Sequence, residues 1–386
     1  MKRLIVLLVA QIGGAFGSPV MELWTLDTHS ENPFELVSQE RTRPMIEGDI
    51  LFYANNKGDV VAIHRALGFV LWKVNVGSSV NGSLKYGRSK LYVGDSSGYL
   101  TALHSRDGSV AWKIKIQSEW LSPVAVQRDK VCASTSAEEL YCLNERDGKE
   151  LWHYSHRGDE KMTIRGTGSP TIYGDVIYQG FADGHLSALS LETGSVIWTK
   201  KLKTRSRFYD IDMPLFVDDK GVLVGTFDGN LYYLDRNDGS TIWMFAVGSA
   251  SGFLVEAERI YFSGLNGFFY AMDRTSGSPI WKTAFDSGVG LTPARVGDLI
   301  VFSTTKDPIY AVKDSTGEVV WTKSLGSGTF SGVVSNPVEG SFYVLSNYGN
   351  LFAFEVIKPP LCVKHTDIIQ SPSAFWPHTP EIACRV

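Results

Sequence analysis

Charge is scarce in this sequence, and neither sign prevails. Charged residues make up 20% of the 386 residues, and the formal net charge is −4. Without an excess of lysine and arginine, the chain has no overall positive field that would attract phosphate backbones or an anionic lipid surface. The composition therefore argues against nucleic acid as a partner.

The first 17 residues lack the apolar length of a membrane anchor. Lys2 and Arg3 precede an apolar stretch at 4–10, and a small-residue cleavage motif stands at 15–17. The apolar stretch is interrupted from Gln11 onward, whereas a membrane-spanning helix needs about 20 apolar residues. This arrangement predicts a secretory signal peptide over residues 1–17. Because no cysteine follows the cleavage motif, we expect an exported, soluble chain without its own lipid anchor.

Only four cysteines are present, and their spacing suits neither a metal site nor a CxxC redox pair. Cys132 and Cys142 lie on two strands of one predicted hairpin, whereas Cys362 and Cys384 lie near the C-terminus. An oxidising compartment would permit a disulfide within each pair. Free buried thiols at 132 and 142 are equally compatible with the sequence, because we expect small apolar residues at the equivalent places of other repeats.

Sequence signatures of catalysis are absent as well. The chain contains no GxSxG elbow, P-loop, HExxH motif or zinc-type cysteine cluster. Among the eight histidines only His153 and His156 are close, and three residues of extended chain would place them on opposite faces. We therefore predict no catalytic, cofactor-binding or metal-binding residue, and no enzymatic activity.

Glycine and aromatic residues, by contrast, are abundant and recur with a period of about 40 residues, which is typical of radial or stacked modules. The recurring signature is a glycine followed four residues later by tryptophan. It occurs at Gly68/Trp72, Gly108/Trp112, Gly148/Trp152, Gly194/Trp198, Gly239/Trp243, Gly277/Trp281 and Gly317/Trp321. Where Asp precedes this glycine, as at 107–108, we predict a two-residue hairpin turn, because glycine supplies the positive φ that such turns require.

Each module reads as a four-stranded antiparallel meander, and the count closes at the two ends of the chain. After Trp321 one further unit provides three strands and no Gly-x-x-x-Trp, while residues 22–26 form a lone Trp-containing strand. Pairing that strand with the last unit would complete an eighth blade and remove an open edge. We therefore predict an all-β, eight-bladed β-propeller over residues 18–357, closed by an N-terminal strand, with each tryptophan packed against the neighbouring blade.

The repeat is interrupted by two long connectors between consecutive blades. The first connector, from Trp152 to Pro170, takes 18 residues and the second, from Trp198 to Pro214, takes 16, whereas Trp112 to Pro123 takes 11. In a meander blade such connectors all leave on the same side, so these two should be neighbours on one face. Beyond the last blade, the tail 358–386 contains five prolines and two cysteines, and its composition leaves a tether, a disulfide-closed flap or an additional contact open.

The two connectors carry the candidate binding residues. Met162, Ile164 and Arg165 combine apolar groups with a guanidinium, as protein interfaces often do. Asp210 and Asp212 stand two residues apart, so their carboxylates would point to one side of an extended segment. An alternative interpretation is that Arg165 pairs with one of these carboxylates and holds the two connectors together.

Three segments make a family resemblance specific, namely 162–171 (MTIRGTGSPT), 207–214 (RFYDIDMP) and 228–235 (DGNLYYLD). They resemble the BamB family, the periplasmic propeller subunits of the outer-membrane β-barrel assembly (BAM) machinery. The resemblance implies a non-enzymatic scaffold that binds the BamA-like barrel subunit and assists insertion of outer-membrane β-barrel proteins, with unfolded outer-membrane proteins as further partners. It also implies that Met162, Ile164, Arg165, Asp210 and Asp212 contact the barrel subunit, and that the chain is held at the outer membrane through this partner.

Two other functions remain as alternatives. The repeats also resemble those of quinoprotein dehydrogenases, which would imply a quinone-dependent oxidoreductase. That family holds pyrroloquinoline quinone with calcium, adjacent cysteines and an Asp/Glu/Asn set, and this chain has no adjacent cysteine pair. The absence of a lipid-acceptor cysteine favours a third function, a secreted recognition or adhesion module.

Overall fold

The structure is a computed structural model that describes residues 18–28, 40–80, 82, 84–116, 118–120, 122–156, 168–202, 210–211, 213–227 and 229–357. Within these residues, 32 strands form eight four-stranded antiparallel sheets, and no helix is present. The predicted eight-bladed β-propeller is therefore confirmed. In the described part of the chain, no helix has the length and apolar content needed to cross a lipid bilayer.

The first four blades each take four consecutive strands. Blade 1 comprises β2 (Met45–Glu47), β3 (Ile50–Ala54), β4 (Asp59–His64) and β5 (Val70–Asn75); blade 2 comprises β6 (Lys85–Gly87), β7 (Lys90–Gly94), β8 (Tyr99–His104) and β9 (Val110–Lys115); blade 3 comprises β10 (Ala125–Gln127), β11 (Lys130–Ser134), β12 (Glu139–Asn144) and β13 (Glu150–Ser155); blade 4 comprises β14 (Thr171–Tyr173), β15 (Val176–Gly180), β16 (His185–Ser190) and β17 (Val196–Lys201).

The remaining blades follow the same order, except that the last one borrows the first strand of the chain. Blade 5 comprises β18 (Phe216–Val217), β19 (Val222–Gly225), β20 (Leu231–Leu234) and β21 (Thr241–Phe245); blade 6 comprises β22 (Leu254–Val255), β23 (Arg259–Ser263), β24 (Phe268–Asp273) and β25 (Pro279–Ala284); blade 7 comprises β26 (Ala294–Val296), β27 (Leu299–Ser303), β28 (Ile309–Lys313) and β29 (Val319–Lys323); blade 8 comprises β30 (Val334–Asn336), β31 (Ser341–Leu345), β32 (Asn350–Val356) and β1 (Val20–Asp27).

The ring is closed by the pairing of β1 with β32. The two strands run antiparallel from Val20 opposite Val356 to Asp27 opposite Asn350. Residues 22–26 thus supply the fourth strand of blade 8, as the count of repeats predicts, and the open edge of β32 is covered.

The core lies between the blades, and burial differs sharply between inner and outer strands. In β4 the four residues from Val60 to Ile63 are all buried, because neighbouring blades cover both faces of this strand. In the outer strand β5 exposed and partly buried residues alternate, and Leu71 faces solvent. A continuous apolar run therefore marks the inner strands, and a period of two marks the outer ones.

The tryptophan of each outer strand joins its blade to the next one. In seven blades the indole N–H donates to a backbone carbonyl of the following blade, at 2.8–3.1 Å. The pairs are Trp24 to Arg65, Trp72 to Ser105, Trp112 to Glu145, Trp152 to Leu191, Trp198 to Arg236, Trp243 to Arg274 and Trp281 to Asp314. The predicted packing of tryptophan against the neighbouring blade is confirmed.

The glycine of each Gly-x-x-x-Trp signature is covered by the tryptophan of the preceding blade. A Cβ atom added to Gly108 would lie 2.8 Å from Cε3 of Trp72. Trp321 is the exception, because the strand that follows β32 in blade 8 comes from the other end of the chain and no such turn exists there. Its ring packs instead against Phe354, with ring centroids 5.6 Å apart.

The hairpin between the third and fourth strands is longer than predicted. In blade 2 the N–H of His104 donates to the carbonyl of Ser109 at 2.8 Å, and the N–H of Gly108 donates to the carbonyl of His104 at 2.9 Å. The loop therefore contains four residues, and the prediction of a two-residue turn is wrong. The positive φ of Gly108, 73°, is as predicted, but it ends a longer loop, the kind usually built around a type I turn.

Cys132 and Cys142 lie directly opposite each other on β11 and β12 and form a disulfide. In five of the other blades the same pair of positions holds an aromatic residue opposite alanine, as at Tyr92/Ala102 and Tyr178/Ala188, whereas blade 5 has Leu223/Tyr233 and blade 7 has Val301/Ala311. The expectation of small apolar residues is therefore right at six of the seven places equivalent to Cys142, which hold alanine, and wrong at most places equivalent to Cys132, which are aromatic. Cys362 and Cys384 lie outside the described residues, as do the predicted signal peptide at 1–17 and the tail at 358–386.

Candidate partner-binding face

Both long connectors begin and end at described residues on the face that carries the turns between second and third strands. The first connector leaves β13 at His156 and returns at Gly168, and the second leaves β17 at Leu202 and returns at Asp210. Each exit is held by a backbone hydrogen bond to such a turn. The N–H of His156 donates to the carbonyl of Glu138 at 3.2 Å, and that of Leu202 donates to the carbonyl of Gly184 at 2.9 Å.

The returning ends of the two connectors touch each other. Gly168 lies so close to the second connector that an added Cβ would be 2.6 Å from the carbonyl oxygen of Ile211. The carbonyl of Gly168 in turn accepts hydrogen bonds from Gln179 Nε2 at 2.7 Å and from Ser134 Oγ at 2.8 Å. The prediction that the connectors are neighbours is confirmed for these ends, and both are attached to buried parts of blades 3 and 4.

Asp210 is the one predicted binding residue that the structure describes, and it is buried. Its exposed fraction is 3%, and its carbonyl accepts a hydrogen bond from the N–H of Phe227 at 3.0 Å. Next to it, Ile211 is fully buried, and its N–H donates to the carbonyl of Phe181 at 3.2 Å. Asp210 therefore stands at the base of the second connector. Met162, Ile164, Arg165 and Asp212 lie outside the described residues.

At the start of the first connector, His156 meets two polar residues of blade 4 that the sequence analysis did not single out. His156 Nε2 lies 2.8 Å from Asp183 Oδ2, and His185 Nδ1 lies 2.8 Å from the same oxygen. These groups come from two blades, so no local spacing relates His156 to the other two. His153 and His156 point to opposite faces, as predicted. The side chain of His153 is exposed and lies 2.8 Å from Glu150, to which it is hydrogen-bonded.

The outer rim of blades 4 and 5 presents apolar side chains on open strand edges. β21 is the last strand of blade 5, and Ile242 and Met244 on it are 48% and 53% exposed. On β17, the edge strand of blade 4, Val196 and Ile197 are exposed as well. Unpaired backbone groups beside exposed apolar side chains are a template for pairing with an extended chain.

The central channel opens into a cavity of about 530 Å³ lined by residues at the starts of the first strands, and its charge is positive. Arg41, Arg43 and Lys85 line it, and burial lowers the pKa of Arg43 to about 10. Among the described lining residues there is no Asp, Glu or Asn side chain that could bind calcium, and the bonded pair Cys132 and Cys142 lies in the core of blade 3. The channel does not fit a quinone held by calcium and adjacent cysteines.

Fold and repeat define the class, an eight-bladed propeller of PQQ-type repeats. The family model described as "Outer membrane protein assembly factor BamB" matches residues 56–282 and 227–358, which together cover more than three quarters of the chain. The chain belongs to this family.

A curated relative, the outer membrane protein assembly factor BamB of Pseudomonas aeruginosa, is 48% identical over 220 residues, covering 54% of this chain and 58% of the relative. The chain spans about half the length of the curated relatives it matches.

Two solved structures share the fold. The crystal structure of BamB from Moraxella catarrhalis matches with a TM-score of 0.75 and 20% identity, covering 87% of this chain and 99% of that one. Quinohemoprotein alcohol dehydrogenase from Comamonas testosteroni matches with a TM-score of 0.72 and 14% identity, covering 90% of this chain and 79% of that one. At such identities these two structures define the fold and leave the function to other evidence.

Proposed function

We propose that this protein is a non-enzymatic scaffold subunit of the outer-membrane protein assembly machinery, acting in the periplasm at the outer membrane. Membership of a family described as an outer membrane protein assembly factor supports this role. The observation that carries the docking part of the proposal is the contact between the two connectors at Gly168 and Ile211. In this proposal the touching ends place the two connectors side by side as one composite surface.

In this proposal the connectors bind the barrel subunit of the machinery. Met162 and Ile164 supply apolar contact, and Arg165 supplies a guanidinium that can pair with a carboxylate in two parallel hydrogen bonds. Asp212 provides a carboxylate of opposite sign, and the buried Asp210 sets the base from which the second connector projects. Anchored ends lower the conformational entropy that the connectors lose on binding.

Unfolded outer-membrane proteins are the second class of partner in this proposal. An extended segment would add a strand to an open blade edge, with main-chain hydrogen bonds for affinity and side-chain contacts for selectivity. The edge strand β21 offers Ile242 and Met244 as exposed apolar contacts for such a segment. The scaffold would then hold a client close to the barrel subunit, to which it is itself bound.

The docking proposal is tested by co-purification from envelope extracts with the tagged chain. We expect the wild type to retain the barrel subunit and Arg165→Glu to lose most of it. Arg106→Glu is the matched control, because Arg106 is exposed in a hairpin loop on the opposite face. Retention of the barrel subunit by Arg165→Glu at the wild-type level, or by neither protein, would overturn the assignment to the connectors.

A further inference from the structure

His156 occupies a position that is apolar in the six other blades with a complete Gly-x-x-x-Trp signature. In most blades the residue four places after the tryptophan donates its N–H to the turn between the second and third strands, as Val76 does to the carbonyl of Gly58 at 2.9 Å. In the other blades with a complete signature it is Val76, Ile116, Leu202, Val247, Phe285 or Leu325. The side chain of His156 is only 8% exposed. An imidazole buried in this place is costly unless a polar partner compensates it.

A second departure from the repeat touches the first. The turn that ends before the third strand has a glycine with positive φ in blades 1, 2, 4, 6 and 8, at Gly58, Gly98, Gly184, Gly267 and Gly349. In blade 3 Glu138 stands there with φ 59°, a conformation that costs a residue with a side chain about 1–2 kcal/mol. Its backbone carbonyl accepts the hydrogen bond from His156, and its carboxylate accepts one from the N–H of Ala182 in the next blade at 3.2 Å.

Two further polar residues, Asp183 and His185, lie in that next blade. Asp183 is 2% exposed at its side chain, and its Oδ2 lies 2.8 Å from both His156 Nε2 and His185 Nδ1. Although so close, His185 Nδ1 is buried and makes no hydrogen bond of acceptable direction within the described residues. The ring of His156 is fixed by stacking on Phe181, with centroids 4.1 Å apart. One buried ring nitrogen thus points into the cluster without a bonded partner.

Two imidazole nitrogens and a carboxylate oxygen lie within 4.8 Å of one another at the junction of blades 3 and 4. This is the donor set that Zn²⁺ takes in proteins. We propose that His156, Asp183 and His185 bind a divalent transition-metal ion of the zinc class. The carboxylate of Glu138 adds negative charge beside the site. The cluster therefore attracts a dication more strongly than two histidines and one aspartate would without it. A metal ion there would also fix His156, the residue at which the first connector begins.

The test is Zn²⁺ binding to the whole chain, measured by isothermal titration calorimetry without reductant. Cys362→Ser and Cys384→Ser are present in every sample, so that tail thiols cannot bind the ion. We expect one Zn²⁺ per chain. His156→Val should weaken binding at least about 10-fold, since losing even an outer-shell partner has that effect. Valine is suited to the place because Val76 fills it in blade 1.

His153→Ala is the matched control, since His153 lies on the same strand but is exposed. It should bind as the wild type does, and Co²⁺ in place of Zn²⁺ should give visible absorption that disappears in His156→Val. The side chain of His185 is 22% exposed, more than that of His156, so His185→Asn serves as a second variant should His156→Val fail to fold. The proposal is overturned if the wild type takes up no stoichiometric Zn²⁺, or if a folded ligand variant binds it as tightly. Both readouts are independent of partner binding.

Discussion

The indole N–H of Trp24 donates a hydrogen bond to the carbonyl of Arg65 at 3.0 Å and thereby links blade 8 to blade 1. The ring also lies against Gly68, where an added Cβ would be 3.0 Å from its Cδ2 atom. Among the seven outer-strand tryptophans that make this bond within the described residues, Trp24 alone comes from the N-terminal strand. Because β1 also pairs with β32, this bond ties the last blade to the first.

This bond predicts unequal effects for the same substitution at two tryptophans. Trp24→Phe removes the hydrogen bond across the seam as well as part of the ring, whereas Trp321→Phe removes ring volume only. We expect Trp24→Phe to lower the free energy of unfolding by about 1 kcal/mol more than Trp321→Phe does. Urea unfolding followed by tryptophan fluorescence and circular dichroism measures both. Equal losses would mean that the seam bond contributes nothing.

Two glycines with similar positive φ values allow the steric cost of an added Cβ to be separated from the cost of the backbone conformation. Gly277 has φ 68°, and a Cβ there would lie 2.5 Å from Cδ2 of Trp243, whereas Gly174 has φ 62° and open space. Gly174→Ala should cost about 1 kcal/mol through its backbone conformation alone. Gly277→Ala should cost about 1–3 kcal/mol more, because the ring must move. Thermal unfolding of the two variants measures the difference. Similar losses of stability in both would refute the steric argument.

The disulfide in blade 3 stands where five other blades have an aromatic residue opposite alanine, and it should stabilise the fold. Replacing Cys132 and Cys142 by serine together should lower the free energy of unfolding by about 2–4 kcal/mol. Cys132→Tyr with Cys142→Ala, which restores the pair seen at Tyr92/Ala102, should recover part of that loss. Unfolding with and without dithiothreitol measures this. A wild type whose stability is unchanged by the reductant would contradict the prediction.

The raised pKa of Glu40 leads us to expect that the free energy of unfolding falls as the pH rises. Burial raises the pKa of Glu40 from 4.5 to about 7, and the hydrogen bond that its carboxylate accepts from the N–H of Asn56 offsets only part of this effect. The folded protein therefore holds this proton at pH values where the unfolded chain has released it. The stabilisation is complete below about pH 4.5 and is lost as the pH rises to about 7.

Glu40→Gln keeps a hydrogen-bond acceptor without the charge and should remove this dependence. Relative to the wild type, the variant should gain up to about 3 kcal/mol of unfolding free energy between pH 4.5 and pH 8. Urea unfolding of both proteins across that range isolates the contribution of Glu40 from those of other carboxylates. Parallel pH profiles would show that Glu40 titrates normally.

The repeat explains why the fold was predictable while parts of the site were not. The spacing of glycine and tryptophan reports which residues meet between blades, so one missing strand after Trp321 and one lone strand around Trp24 imply closure. The hairpin loop at 105–108 was misjudged because glycine indicates a positive φ but not which residues close the loop. Asp210 lies in a connector, where the period ends and burial has no sequence signal.

The cluster of His156, Asp183 and His185 illustrates a second limit. His156 lies 27 residues before Asp183 in the sequence, and it meets Asp183 and His185 only because adjacent blades pack face to face. Alignment of the repeats contains a usable signal, since a histidine stands at a position that is otherwise apolar. That signal identifies His156 alone. Asp183 and His185 can be recognised as its partners only from the way the two blades pack in three dimensions.

The pairing of β1 with β32 has a consequence for how the chain matures. The segment around Trp24 is synthesised 329 residues before its partner around Ala353, so the ring cannot close until both segments have emerged. At cellular elongation rates that interval is on the order of tens of seconds. Throughout it, the apolar side of blade 1 that Trp24 will cover stays open to water, and the nascent protein depends on being kept from premature association with other chains.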